Sequence, residues 1–255
     1  MLHYSEYGAG RPLIILHGLL GSSENWVRIA RELGVYFNVI TVDLRNHGMS
    51  FHRDEMNYEV MAEDVMALMR YYSWDSPVIM GHSMGAKVAL MIADRYEGDI
   101  AQLVQVDIVN KAYDHRHLDI INAMEGIAIG LFQSRVDLRR VLEKEIKDPA
   151  LLGLILKNTI READSLRWKV NIKAIKDNYS VLSQAVILDD VIDIPTLLVR
   201  GGEADYVSDS DLGVIEATFS AVEIKTIAGV GHWVHAEAPT LFLAEVLSFL
   251  GCDIL

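Results

Sequence analysis

Leu2 to Tyr7 alternates apolar and polar positions, which predicts a short edge strand. Leu13-Ile14-Ile15-Leu16 is a continuous apolar run, the pattern of a strand buried on both faces. Val39 to Val42 reads as the next buried strand, Val78-Ile79-Met80 is a further apolar run, and Ile100 to Val106 reads as another strand that ends at Asp107. Between these runs the period changes to that of a helix. Ser22 or Ser23 caps one through Trp26, Ile29, Ala30 and Leu33. Tyr58 to Met69 forms another, with Val60, Met61, Val65 and Leu68 on one face. An Ala-rich helical stretch runs from Lys87 to Ala93. The rhythm breaks from Val109 to about Val191, where charge clusters such as Glu143-Lys144-Glu145 alternate with apolar runs in an irregular, helical pattern. It resumes with a strand at Thr196 to Arg200, a helix near Leu212 to Phe219 and a strand at Ala221 to Ile227. A last helix, Pro239 to Leu250, has proline in its first turn.

Strands alternating with helices predict an α/β fold: an open, mostly parallel, doubly wound sheet. The interruption predicts an α/β core made of residues 1–108 and 192–255, with 109–191 inserted as a helical cap. In such sheets ligands bind beyond the carboxyl ends of the strands. His17-Gly18-Leu19, Arg45 to Ser50, Ser83, Asp107 and the loop carrying His232 all fall there.

Composition narrows the function classes. A chain of 255 residues that is 51% hydrophobic supplies the core of one large domain with an insertion. A net charge of −13 repels phosphate backbones, so no nucleic-acid partner is expected, and it gives no attraction to an anionic membrane. Cys252 is the one cysteine, so neither an intrachain disulfide nor a thiolate metal site can form. Met1 to Tyr7 lacks a basic and apolar leader, and no apolar run approaches the ~20 residues of a membrane span. A soluble, cytoplasmic protein is the expectation.

The candidate chemistry centres on Val78-Ile79-Met80-Gly81-His82-Ser83-Met84-Gly85-Ala86. Apolar residues lead into Gly-x-Ser-x-Gly and a helix follows, the order of a nucleophile elbow. A serine hydroxyl becomes a useful nucleophile when a strained turn presents it beside a base. The two glycines keep any Cβ away from the neighbouring strand and helix. His232, in Val230-Gly231-His232-Trp233 after the last strand, is the candidate base, and the order serine, acid, late histidine is the one hydrolases with this elbow use. The Leu19 and Met84 N–H groups are candidate oxyanion donors. His17 and His82 read as loop supports. Met84, Met124, Trp168 and Tyr206 are candidates for an acyl pocket, against the ordinary reading of apolar residues as core. His115-Arg116-His117 does not read as a metal site, because histidines two apart do not share a helix face. Gly8-Ala9-Gly10 lacks the third glycine of a dinucleotide loop, and Gly81 to Lys87 lacks the ending of a phosphate loop. No cofactor and no metal are implied.

These motifs resemble the α/β-hydrolase superfamily. More closely, Asp43 to Ser50, Gly81 to Gly85, Val106-Asp107-Ile108 and Gly229 to Glu237 are similar to YbfF-type esterases; in 109–191 the similarity is confined to Arg167 to Asn171. The resemblance implies a cap of helices over Ser83 and hydrolysis of small-molecule carboxylic esters or thioesters with short acyl groups. Substrate contacts then fall to Trp168 and Tyr206. Two aspartates compete for the acid. Asp205 stands where most hydrolases with this elbow carry it, and Asp107 stands where the YbfF-type subgroup does. The subgroup favours Asp107, with Asp205 as the alternative. A carbon–carbon bond hydrolase or lyase on the same scaffold, or a ligand-binding protein that has lost turnover, are the competing readings.

Overall fold

The computed structural model describes residues 1–114 and 117–252. In chain order the strands and helices are β1 (Tyr4–Tyr7), β2 (Pro12–Leu16), α1 (Val27–Leu33), β3 (Asn38–Val42), α2 (Tyr58–Tyr72), β4 (Val78–His82), α3 (Met84–Arg95) and β5 (Gln102–Val106). The segment between β5 and the next sheet strand holds α4 (Leu118–Glu125), α5 (Arg135–Glu145), α6 (Pro149–Lys157), β6 (Thr159–Glu162), β7 (Ser165–Trp168) and α7 (Ile172–Leu182). Then follow β8 (Thr196–Gly201), α8 (Leu212–Thr218), β9 (Val222–Ile227), α9 (Val234–Glu237) and α10 (Pro239–Phe249).

The main sheet has seven strands in the order β1-β3-β2-β4-β5-β8-β9. β1 pairs antiparallel with β3 at the edge, and the other neighbours are parallel. From β2 the chain first moves outward to β3 and then returns to the other side of β2 to lay down β4. That reversal is the switch point of the sheet, and a crevice opens there beyond the strand ends. The residues that leave β2 and β4 at this point are His17-Gly18-Leu19 and Ser83.

The continuous apolar runs follow from burial on both sheet faces. Ile14 and Leu16 point to one apolar cluster, with α2 and α3. Leu13 and Ile15 point to the other, with Trp26 and Phe242 of the α1/α10 layer. The Asn57 side chain caps α2 through the Val60 N–H at 2.8 Å, and Pro239 opens α10.

Segment 109–191 differs in one respect from a purely helical reading. β6 and β7 form an antiparallel hairpin, Thr159 opposite Trp168 and Glu162 opposite Ser165. The turn is Ala163-Asp164, with Ala163 at φ 51°. No Asn-Gly or Gly-x signal marks it, and the strands carry charges at Arg161, Glu162 and Arg167, so period and turn chemistry both pointed elsewhere. Hydrogen bonds fasten the segment to the carboxyl edge of the sheet: the Asn171 N–H donates to the Asn46 carbonyl at 2.9 Å, and the Tyr58 hydroxyl donates to the Leu182 carbonyl. Lys169 reaches Glu24 at 2.7 Å.

Candidate active site

Ser83 sits between β4 and α3 with φ 51° and ψ −118°, a region that side-chain-bearing residues avoid. The turn survives because its neighbours are small. A Cβ on Gly81 would lie 2.3 Å from the Gly85 carbonyl oxygen, and one on Gly85 would lie 2.3 Å from the Leu16 carbonyl oxygen. The Ser83 N–H is held by the Val106 carbonyl at 3.1 Å, which leaves the hydroxyl at the head of α3. Gly18 passes against it: a Cβ there would stand 3.2 Å from the Ser83 Cβ. Leu19, Ser83 and Met84 therefore line one cavity. Among the described residues neither the Leu19 nor the Met84 N–H meets a protein acceptor, so both remain available to an oxygen of a bound molecule.

The Asp107 carboxylate meets the His232 imidazole. Its Oδ2 lies 2.7 Å from His232 Nδ1, and its Oδ1 accepts the Gly201 N–H at 3.0 Å. Asp107 leaves β5 with φ 51° and is fully buried. Burial pushes its carboxyl up to about 7; the Gly201 N–H opposes this, while the charges of Asp205 and Glu237 add to it. Asp205 itself is exposed in the loop after β8. The bond at Nδ1 fixes the tautomer of His232, leaving Nε2 as the face that can take a proton. His232 and Ser83 line the same cavity.

Buried histidines form the scaffold behind this pair. His82 Nε2 donates to the His232 carbonyl at 3.0 Å and so holds the loop that carries His232. His17 Nε2 accepts the Leu44 N–H at 3.1 Å, while its Nδ1 donates to the Gly18 carbonyl at 2.8 Å. His235 stacks on Trp26 with ring centroids 3.9 Å apart. Burial holds His17, His82 and His235 below the usual histidine range, and His47 near 3, so these rings are neutral supports.

Two cavities meet at Ser83. One is walled by Tyr58, Tyr113, Tyr179 and Tyr206 with Lys87 among them. The other contains His232 and is walled by Leu151, Leu154 and Trp233. Leu19 and His117 line both. Tyr206 stacks face to face on His232, with centroids 3.7 Å apart and planes 16° apart. Trp168, expected at the pocket, lines neither cavity: on β7 it packs half-buried against the large apolar cluster. Met124 is fully buried core of the same cluster. His117 was legible only as a loop histidine, yet its Nε2 lies 3.3 Å from the Tyr206 hydroxyl and its Nδ1 3.3 Å from the Tyr179 hydroxyl. His115 and Arg116 lie outside the described residues. Among the described residues no cluster of His, Cys, Asp or Glu is arranged to hold a metal, and no helix is long and apolar enough to cross a membrane.

A family model described as alpha/beta hydrolase fold matches residues 11–132. Esterase YbfF of Escherichia coli (strain K12) is 31% identical, over 94% of this chain and 92% of that protein. The sn-1-specific diacylglycerol lipase ABHD11 of Xenopus tropicalis is 31% identical, over 97% of this chain and 80% of that one. Among solved structures, a marine microorganism esterase superposes with a TM-score of 0.94 at 36% identity, covering 97% of this chain and 98% of its own.

Proposed function

This chain belongs to the α/β-hydrolase family and is a serine carboxylic ester hydrolase, and from that premise we propose that it cleaves small-molecule esters and thioesters of short acids through Ser83, His232 and Asp107. The observation that carries the assignment is the 2.7 Å contact between Asp107 and His232 beside a strained Ser83. His232 Nε2 takes the Ser83 hydroxyl proton as Oγ bonds to the acyl carbon. The carbonyl oxygen becomes an oxyanion and accepts from the Leu19 and Met84 N–H groups. The bond to the leaving oxygen or sulfur then breaks, and that atom takes the proton from His232. Water repeats the sequence: it gives a proton to His232 and its oxygen bonds to the acyl carbon. The bond to Ser83 breaks, Oγ regains the proton, and the carboxylic acid is released.

The general acid must reach the leaving atom, so the alcohol or thiol lies in the cavity that contains His232. The acyl group then lies in the tyrosine-walled cavity beyond Met84. Segment 109–191 acts as the cap, since Leu151, Leu154, Tyr179 and Leu182 close these cavities over Ser83. The reading of short acids rests on the bulky side chains of Tyr58, Tyr113, Tyr179 and Tyr206 that line this cavity with Ser83. Turnover of para-nitrophenyl acetate and butyrate tests the reading: Ser83→Ala lowers kcat by roughly 10⁴–10⁶-fold. Retention of full activity by Ser83→Ala removes it.

A further inference from the structure

Lys87 lies on α3 one helical turn beyond Ser83, on the side that faces the acyl cavity. An Ala-rich helix ordinarily turns its lysine to water. This one is only 2% exposed. Its ammonium donates to the Lys111 carbonyl at 2.8 Å and to the Gln184 carbonyl, and it lies 5.0 Å from the Tyr113 ring centroid and 5.7 Å from that of Tyr58. Carbonyl dipoles and ring faces stabilise a cation only partly. Among the described residues no carboxylate stands within ion-pair distance of it. The nearby Lys111 has its own partner, Asp211, at 2.7 Å. Asp114 also lines the cavity, but is exposed. A lysine has three N–H donors, and two are used.

The geometry points to an anion subsite: Lys87 receives the free carboxylate of a short dicarboxylic acyl group whose other end is esterified to Ser83 during turnover. The substrates are then half-esters or half-thioesters of acids such as succinic or glutaric acid. The inference rests on Ser83 being the nucleophile and deepens that reading by naming the acyl class. Two further observations support it. Lys87 is the one lysine or arginine lining this cavity among the described residues. Burial lowers its pKa to about 7, the mark of a cation whose solvation has been removed and not replaced. A carboxylate placed there restores the missing counter-charge. Tyr58 and Tyr113 do not compete for that role, because burial raises both phenols and keeps them neutral.

The test compares kcat/KM for the para-nitrophenyl half-ester of glutaric acid with that for para-nitrophenyl pentanoate. The unmutated enzyme prefers the half-ester. Lys87→Met lowers the ratio of the two by about 10–100-fold, the range of a hydrogen bond to a charged group, and Lys87→Arg keeps most of it. A lysine that only fastens the segment to α3 gives a ratio that does not move, and that result overturns the inference, as does an unmutated enzyme that prefers pentanoate. Glutarate binding to Ser83→Ala protein, followed by calorimetry, separates the two levels. Glutarate bound by Ser83→Ala and lost on adding Lys87→Met keeps the anion subsite even if neither ester turns over. Ester turnover without glutarate binding overturns the subsite and leaves the hydrolase standing.

Discussion

The Asp107 carboxylate meets the His232 imidazole at 2.7 Å across 125 residues of sequence, and its other oxygen is held by the Gly201 N–H. One carboxylate thus ties together the ends of β5 and β8 and the loop after β9. Asp205 lies exposed in the loop after β8, whereas Asp107 is fully buried. Asp107→Asn therefore folds but loses about 10⁴-fold in kcat, because the amide holds the imidazole in the wrong tautomer. Asp205→Asn stays near the unmutated rate. Steady-state kinetics on one ester decide it, and the reverse order of losses would move the acid to Asp205.

The pH profile follows from the same pair. A proton on Asp107 or on His232 removes the base, and in a pair this close the apparent pKa belongs to both. Burial pushes the Asp107 carboxyl to about 7. Hence kcat/KM falls as pH drops below about 7, approaching tenfold per unit. Initial rates after a pH jump from neutral stock isolate this effect from unfolding. A profile flat down to acid contradicts it.

Stability falls in acid for a separate reason. His17, His47, His82 and His235 are buried and held below the ordinary 6.5, His47 near 3. Below 6.5 the unfolded chain binds protons that the folded chain refuses. Each such histidine then costs about 1.4 kcal/mol per pH unit until its folded pKa is reached. Asp107 acts in the opposite sense between 3.8 and about 7, since its raised pKa favours the folded state on acidification, but it is one group against several. Urea midpoints therefore drop steeply from pH 6.5 towards pH 5, and a midpoint constant across that range refutes the neutral-histidine scaffold.

Much of the sheet was legible because parallel strands buried on both faces leave unbroken apolar runs, as at Leu13 to Leu16. The elbow was legible because Gly81 and Gly85 have no substitute where carbonyl oxygens approach so closely. The acid was legible only as a choice between Asp107 and Asp205, since both leave strands at the same edge and the contact of Asp107 with the loop after β9 is a tertiary one that no local pattern encodes. The hairpin at Ala163-Asp164 was not legible because its positive φ falls on an alanine, where a glycine or asparagine would have marked the turn. Lys87 escaped because its burial depends on carbonyls of Lys111 and Gln184, far along the chain, which no local period encodes. His117 owes its place to Tyr179 and Tyr206 in the same way.

The acyl cavity makes a further expectation. We propose that the four tyrosines lining it with Ser83 limit the length of the acyl chain. Across para-nitrophenyl esters, kcat/KM is highest for acetate and butyrate and falls for decanoate and palmitate. A profile rising towards palmitate shows that the walls open and that the short-acid assignment is wrong.

The most direct measurement of the central claim is covalent labelling with a fluorophosphonate, followed by peptide mass spectrometry. The activated serine attacks phosphorus and expels fluoride, and the adduct marks the nucleophile. The account predicts one adduct, on the peptide containing Ser83, slowed strongly in His232→Ala and absent in Ser83→Ala. A folded, unmutated protein that takes no label, or takes it on another serine, would contradict it.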